Sequence, residues 1–321
     1  LFKEVIEIEQ TWEQGYFYCA KHLDSELLTS LKTSDNMNCS YELYVTGIIS
    51  NYGSCLKYGV KHIFHALPRL IRLVCNVGDL DDATDLINKV VNIFNDLINT
   101  IENRVWVVNL SQIVSRIKHK NVKTSQVIVK LWVKLLDAYP KQSVWSSIPA
   151  MKDNRGLFQY ARLSNSSKVT IANTVKLAEE LEKFCREKNI KKLHTLFTNS
   201  EKSSRIMIPL QSSLTPDFAC YCPTDTPADE QETIDVVGIG PTCKVMQSKV
   251  KPIRFSFIGT DQKQYPFLVK SGDDLKKDNR FMEFSRMLNV LFMKNPETRR
   301  RRLYIRTFSA IPITQKFGLI E

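Results

Sequence analysis

From the N-terminus to about residue 200, apolar side chains recur every three or four positions, and beyond that every second position. In VKHIFHALPRLIRLV, Val60, Ile63, Phe64, Leu67, Leu70, Ile71 and Val74 fall on one stripe of a helix. Pro68 is expected to kink or restart that helix, and Gly78 to close it. A second stripe, Leu86, Val90, Phe94, Leu97 and Ile101, follows the acidic run DLDDATD, which reads as a capping segment. A third, Ile128, Trp132, Leu135, Leu136 and Tyr139, stops at Pro140. Each helix has a single apolar face, and short polar turns join them. That pattern predicts an antiparallel α-solenoid in which each hairpin buries its stripe on its neighbour, with a compact bundle as the alternative, since no exact repeat of residues is found.

TVKLAEELEKFCREKNIKKLHTLF is still helical but far more charged, as expected of a helix pair at a surface between two bodies. The period then changes to two. RIMIPLQ, PIRFSFIGT, QYPFLVKS and RRLYIRTFSAIPI read as strands, and Gly259, Thr260 and Asp261 mark a hairpin turn. TPDFACYCPTDTPADEQETIDVVGIGPT, rich in Pro, Thr and acids, reads as a loop. One helix, from about Asp273 to Lys294, interrupts the strands with the stripe Phe281, Phe284, Leu288, Leu291 and Phe292. The class is α+β, with boundaries expected at residues 1–148, 149–203 and 204–321.

Composition narrows this picture. A chain of 321 residues, 43% apolar and 25% charged, can bury a sizeable core. No apolar run approaches the roughly 18 to 20 residues that span a bilayer, and LFKEVIEIEQ carries acids where a signal peptide is basic, so an intracellular protein without a membrane partner is expected. The eight cysteines lie singly apart from Cys220 and Cys222, the pattern of reduced thiols. No histidine follows His194, so no metal site is expected, and His62 with His65 reads as packing or surface. Asn165 fits a glycosylation triplet that carries little meaning inside a cell. The net charge of +11 raises nucleic acid as a partner, yet it is spread as single Lys and Arg residues over helix faces. The one dense run, Arg299 to Arg302, reads as a solvated loop before a strand, with a nuclear-import signal as the alternative. There is no initiator Met, and a piece of a larger protein is expected.

The informative stretch is YPFLVKSGDDLKKDNRFMEFSRML. On the strand, Leu268 and Lys270 share one face while Phe267 and Val269 share the other. One face packs; the opposite face offers an apolar residue to a flat ring and, one step on, an ammonium to an anion. An inward ammonium needs a carboxylate, and Asp278, eight residues later on the next helix, is the expected partner. This is the arrangement of a nucleotide-binding small lobe; the alternative is a solvated strand end followed by a helix N-terminus stabilised by Asp273 and Asp274. GIGP at Gly238 to Pro241 is too weak to be a kinase glycine loop.

LVKSGDDLKKD resembles the K-x-x-x-D-L-R-x-D signature of phosphatidylinositol 3-kinases and their related protein kinases. SFIGTDQKQYPFLVKSGDDLKKDNRFMEF, RRRRLYIRTFSAIP and GLIE resemble the small lobe of the ATR-type checkpoint kinases of that family. NYGSCLKYGVKHIFHALPRLIRL, QIVSRI, DAYPKQSVW and IMIPLQS resemble their helical FAT region. The resemblance implies a FAT-type solenoid of TPR- or HEAT-like hairpins, then the mixed sheet and helix of the kinase small lobe. It implies that Lys270 contacts ATP phosphates and that Asp278 is its acidic partner. Met246 to Pro252 match the phosphate loop, with Ser248 and Lys251 over the phosphates. Leu268, Phe308 and Ile320 match adenine-pocket positions, and Glu321 the first hinge position. Lys276 replaces the family's Arg and removes a bidentate fork, and Phe308 replaces a Tyr and removes a hydroxyl.

For the full protein the resemblance implies Mg2+- and ATP-dependent phosphorylation of Ser or Thr before Gln in the nucleus. It also implies an ATR-interacting regulatory subunit and indirect recruitment to single-stranded DNA. The family's large-lobe DRHxxN and DFN motifs are absent here, so this segment by itself is expected to be inactive. Three other readings are a lipid kinase of the same superfamily, a non-catalytic scaffold with a degenerate small lobe, and a nucleic-acid-binding solenoid.

Overall fold

The structure is a computed structural model; it describes residues 2–33, 37–81, 83–153, 162–187, 206–214 and 233–321. Part of the charged helical stretch, His194, Cys220, Cys222 and most of the acidic loop lie outside the described residues. Two compact units divide the chain, Leu1–Leu135 and Leu136–Glu321.

The first unit contains α1 (Phe2–Ile8), α2 (Glu13–Thr33), α3 (Met37–Tyr58), α4 (Ile63–Gly78), α5 (Thr84–Thr100), α6 (Asn103–Val107), α7 (Leu110–Ser115) and most of α8 (Val122–Ala138). Contacts between α2 and α4, α3 and α5, and α5 and α8 advance in the same direction along both helices, as stacked hairpins require. Between α2 and α4, Glu13 accepts from the His62 N–H at 3.0 Å, and eleven residues on Asp24 receives the Arg69 fork at 2.8 and 2.5 Å. Between α3 and α5, Glu42 holds Lys89, and Leu97 fills the space above Gly53. Between α5 and α8, Lys123 reaches Asn88, Lys130 reaches Asn95 at 2.8 Å, and Lys134 reaches the carbonyl of Ile98. These steps keep a spacing of 35 or 36 residues, so the stack advances in register.

The apolar stripes are the core of this unit: Leu67, Leu70, Ile71, Val90, Phe94 and Trp132 are all buried. Two local expectations change. Helix α4 passes through Pro68 without restarting, because seven buried Ile, Leu and Val residues at about 1.5–3 kcal/mol each outweigh the proline's roughly 3 kcal/mol. The acidic run before α5 supplies no capping side chain; the cap is Ala83, and the run acts through Asp85 in the first turn, beside the positive end of the helix. His62 stacks on Phe17 at 3.7 Å and is a packing residue, while His65, exposed at the surface, meets the same ring edge-on at 5.3 Å.

In the second unit Pro140 does not merely stop a helix but begins α9 (Pro140–Asp153), where its fixed φ suits the first turn. After α10 (Asn165–Glu187) and α11 (Gln211–Leu214) come β1 (Val236–Ile239), β2 (Lys244–Val245), β3 (Ile253–Gly259), β4 (Gln264–Ser271), α12 (Leu275–Lys294), α13 (Pro296–Arg300), β5 (Ala310–Pro312) and β6 (Phe317–Ile320). The order is β1-β3-β4-β6-β5 with β2 also on β3, and every pairing is antiparallel rather than mixed. The expected hairpin at Gly259 to Asp261 is present, closed by Gly259 N–H on the Lys263 carbonyl at 3.0 Å, with Gln262 as its left-handed residue.

Two predicted strands shrink. Among the described residues of RIMIPLQ only Met207 forms a bridge, to Asp235, because the Leu210 N–H folds back on the Ile208 carbonyl at 2.8 Å. Of RRLYIRTFSAIPI only Ala310–Pro312 is a strand, because Asn289 of α12 takes both backbone groups of Ile305 at 2.8 Å. Arg299 and Arg300 end α13, and Arg301 and Arg302 form an exposed turn. Helix α12 buries Leu275, Met282 and Ser285. Of its predicted stripe, Phe281, Phe284 and Leu291 are exposed, at 60%, 51% and 51%, while Leu288 and Phe292 are half-buried. No helix among the described residues is long and apolar enough to cross a membrane.

Candidate functional site: one open face of the sheet

The strands of the second unit have two unlike faces. Phe255, Phe257, Phe267, Val269 and Leu319 line one face and are all buried. Their rings meet edge-on, Phe257 to Phe267 at 5.2 Å, and Phe184 of α10 covers Phe255 at 6.1 Å. On the other face Leu268 lies opposite Arg254 on β3 and Ile320 on β6, and Lys270 lies opposite Gly318. Leu268, Lys270 and Ile320 are only half-buried, and Arg254 is exposed. The alternation read from YPFLVKS is therefore the alternation of the sheet.

Lys270 is held by a carboxylate, but by Asp273 and not by Asp278. Gly272 explains the difference. Its φ of +92° turns the chain sharply after β4, a conformation that suits glycine, and so lays Asp273 back over the strand end. Asp274 then caps α12, accepting from the Lys276 N–H at 3.1 Å. Asp278 makes no ion pair among the described residues and is half-buried in the first turn of α12. It shares a helix face with Leu275, three residues earlier. A Cβ on Gly318 would fall 2.6 Å from Leu275 Cδ1 and 2.2 Å from the Ile311 carbonyl. Helix and strand thus close to contact only because residue 318 has no side chain, and Asp278 stands one turn from Leu275, which packs on the register partner of Lys270.

Met246 to Pro252 form the hairpin loop between β2 and β3, closed by Met246 N–H on the Pro252 carbonyl at 2.8 Å. Ser248 N–H bonds the Met246 carbonyl and Lys251 N–H the Ser248 carbonyl, both at 3.1 Å, and Lys251 adopts a φ of 44°. Because Ile253 is paired with Val269, this loop borders the end of the sheet that carries Lys270. Lys244 and Arg254 face each other across β2 and β3, both exposed, a like-charge pair that an anion would relieve. At the far end of the open face, Ser309 and Glu321 extend the β5–β6 register by a backbone bond of 2.9 Å, and half-buried Phe308 lies one residue beyond. Lys276 is exposed on α12.

The structure thus gathers Leu268, Lys270, Ile320 and the loop 246–252 around one end of an open face, with Phe308 and Glu321 at its edge. Sequence reasoning missed Arg254 and the pairing of Asp273 with Lys270. Arg254 was available from the strand alternation of PIRFSFIGT, but its pairing with Leu268 was not.

Family models agree in order along the chain. Residues 89–198 match the model described as "Serine/threonine-protein kinase ATR-like, HEAT repeats", and residues 264–321 match "Phosphatidylinositol 3- and 4-kinase". The whole chain is 28% identical to the Serine/threonine-protein kinase ATR of Oryza sativa subsp. indica and 26% identical to Protein kinase rad3 of Schizosaccharomyces pombe. It spans 14% and 15% of their lengths. The chain is similar along its length to ATR-type protein kinases. A solved structure titled "FAT and kinase domain of CtTel1" carries the same fold as this chain. It has a TM-score of 0.72 at 16% identity, over 99% of this chain and 23% of that one.

Proposed function

We propose that this ATR-type segment is the scaffold and the nucleotide-binding half of an ATP-dependent protein kinase that phosphorylates Ser or Thr before Gln. The observation that carries the proposal is Lys270: a half-buried ammonium on an open sheet face, beside the hairpin loop 246–252 and one step from the apolar pair Leu268 and Ile320. A flat purine fits the apolar pair, and a triphosphate fits the cationic end, where Lys244, Lys251, Arg254 and Lys270 cluster. Lys270 neutralises phosphate charge, Met246, Ser248 and Lys251 lie over the phosphates, and Phe308 and the Glu321 backbone border the adenine. Asp278 orients the ammonium from the helix when Asp273 does not hold it. Mg2+ accompanies the nucleotide, with its ligands expected from the family's large-lobe motifs. A nuclear location, an ATR-interacting subunit and indirect recruitment to single-stranded DNA belong to the same proposal, supported by the family alone.

Lys270→Ala in the full-length kinase tests it. Loss of one preorganised donor of this kind removes about 3–4 kcal/mol of transition-state stabilisation. Turnover on a Ser-Gln peptide is expected to fall accordingly, with the melting temperature unchanged. Wild-type turnover, or transfer to phosphatidylinositol vesicles in preference to the peptide, overturns the proposal.

A further inference from the structure

The segment at residues 206–211 is tied to different elements at alternate positions. The Met207 carbonyl accepts from Trp145 Nε1 of α9 at 3.0 Å in a buried bond. The Pro209 carbonyl accepts from Ser309 Oγ at 2.6 Å, also buried. The Gln211 N–H donates to Glu321 Oε2 at 2.9 Å, and the same oxygen accepts from the Ser309 N–H at 2.9 Å. With its amide oriented to satisfy both atoms, the Gln211 side chain donates to the Phe308 carbonyl at 2.9 Å and accepts from Arg286 Nη1 of α12 at 3.3 Å.

One carboxylate oxygen therefore gathers two backbone donors that lie 110 and 12 residues away in sequence. Strand pairing does not need it, because the backbones of Glu321 and Ser309 already bond at 2.9 Å. Bonds to an ionised acceptor are about twice as strong as neutral ones, so the side chain adds a stiff clasp where the backbone alone would pair. The clasp fixes the two positions that border the adenine in the proposed site, Phe308 through Gln211 and residue 321 directly.

We infer that Glu321 is a positioning residue: its carboxylate sets the adenine-facing backbone against the segment 206–211, and Trp145 carries that restraint back to helix α9. The inference rests on the nucleotide-binding reading above and adds a residue that never touches the phosphates. Nucleotide affinity, and not the transfer step, should register the clasp.

The test compares Glu321→Ala, Glu321→Gln and Trp145→Phe in the full-length kinase, measuring kcat and the KM for ATP alongside the melting temperature. Alanine removes the acceptor, and KM for ATP is expected to rise about tenfold with kcat within about twofold. Glutamine keeps an oxygen that can accept both bonds, so KM stays within about threefold of wild type. Phenylalanine keeps the packing of Trp145 but lacks its N–H, and KM should rise less than for Glu321→Ala. An unchanged KM in the alanine variant, or an equal rise with alanine and glutamine, overturns the role of Glu321. An unchanged KM in Trp145→Phe overturns the link to α9. If Lys270→Ala is inactive while Glu321→Ala behaves as wild type, only this inference fails; if Lys270→Ala is active, the nucleotide reading itself fails.

Discussion

Strands β3, β4 and β6 present two faces made from consecutive residues of the same short sequences, yet the faces do different work. Phe257 is fully buried and meets Phe255 and Phe267 edge-on, under the cover of α10. One residue away along each strand, Leu268, Lys270 and Ile320 remain half-open. The closed face sets where the strands lie, and because the backbone alternates, it also sets where the open face points its ammonium. Stability and chemistry are thus separated by a single step along the chain, and substitutions should separate them too.

The closed face should give the largest effect on folding. Phe257→Ala is expected to lower the unfolding free energy by about 3–5 kcal/mol in urea titrations. If the loss were under about 1 kcal/mol, this face would not be the core of the unit. Lys270→Ala should show the reverse pattern, costing turnover and not stability. Helix α12 sharpens the contrast between covered and open surfaces, because its outward aromatics bury little here. Phe281→Ser should change stability by no more than about 0.5 kcal/mol, and a large loss would mean that this side of the helix is packed. The smallest effect belongs to His65 in the first unit. Burial, followed by the Lys21 charge, lowers its pKa, with Asp24 opposing. A histidine whose folded value lies below its unfolded one favours folding above the ordinary histidine range and loses that contribution as pH falls toward the folded value. Its ring is partly exposed, so solvent mutes the effect. Denaturation midpoints should fall slightly more between neutral and mildly acid pH in the wild type than in His65→Gln, and identical profiles would remove His65 as the cause.

Much of this architecture was legible from spacing. The stripes around Leu70, Phe94 and Trp132 mark the buried sides of their helices, and the Leu268 and Lys270 alternation marks the open sheet face. Both depend on periods that a short window of sequence carries. What remained hidden depends on single backbone angles or on partners distant in the chain. The choice of Asp273 over Asp278 turns on the φ of Gly272. The loss of strand at residues 303–309 turns on an asparagine sixteen residues before Ile305. For α12, the period identified a helix, but the sides it buries were decided by Gly318 and the sheet. The Gln211 clasp could not be read from the chain, since its partner lies 110 residues away.

The contacts between α5 and α8 carry one last consequence. Lys123, Lys130 and Lys134 are received there by two asparagine side chains and a main-chain oxygen. Counter-ions in solution weaken attraction between full charges across a separation of several ångströms. They do far less to an ammonium already seated on a neutral dipole. This tier of helices should hold its pitch in brine that would loosen a neighbouring tier fastened by carboxylates, such as the one joined through Glu42 and Lys89.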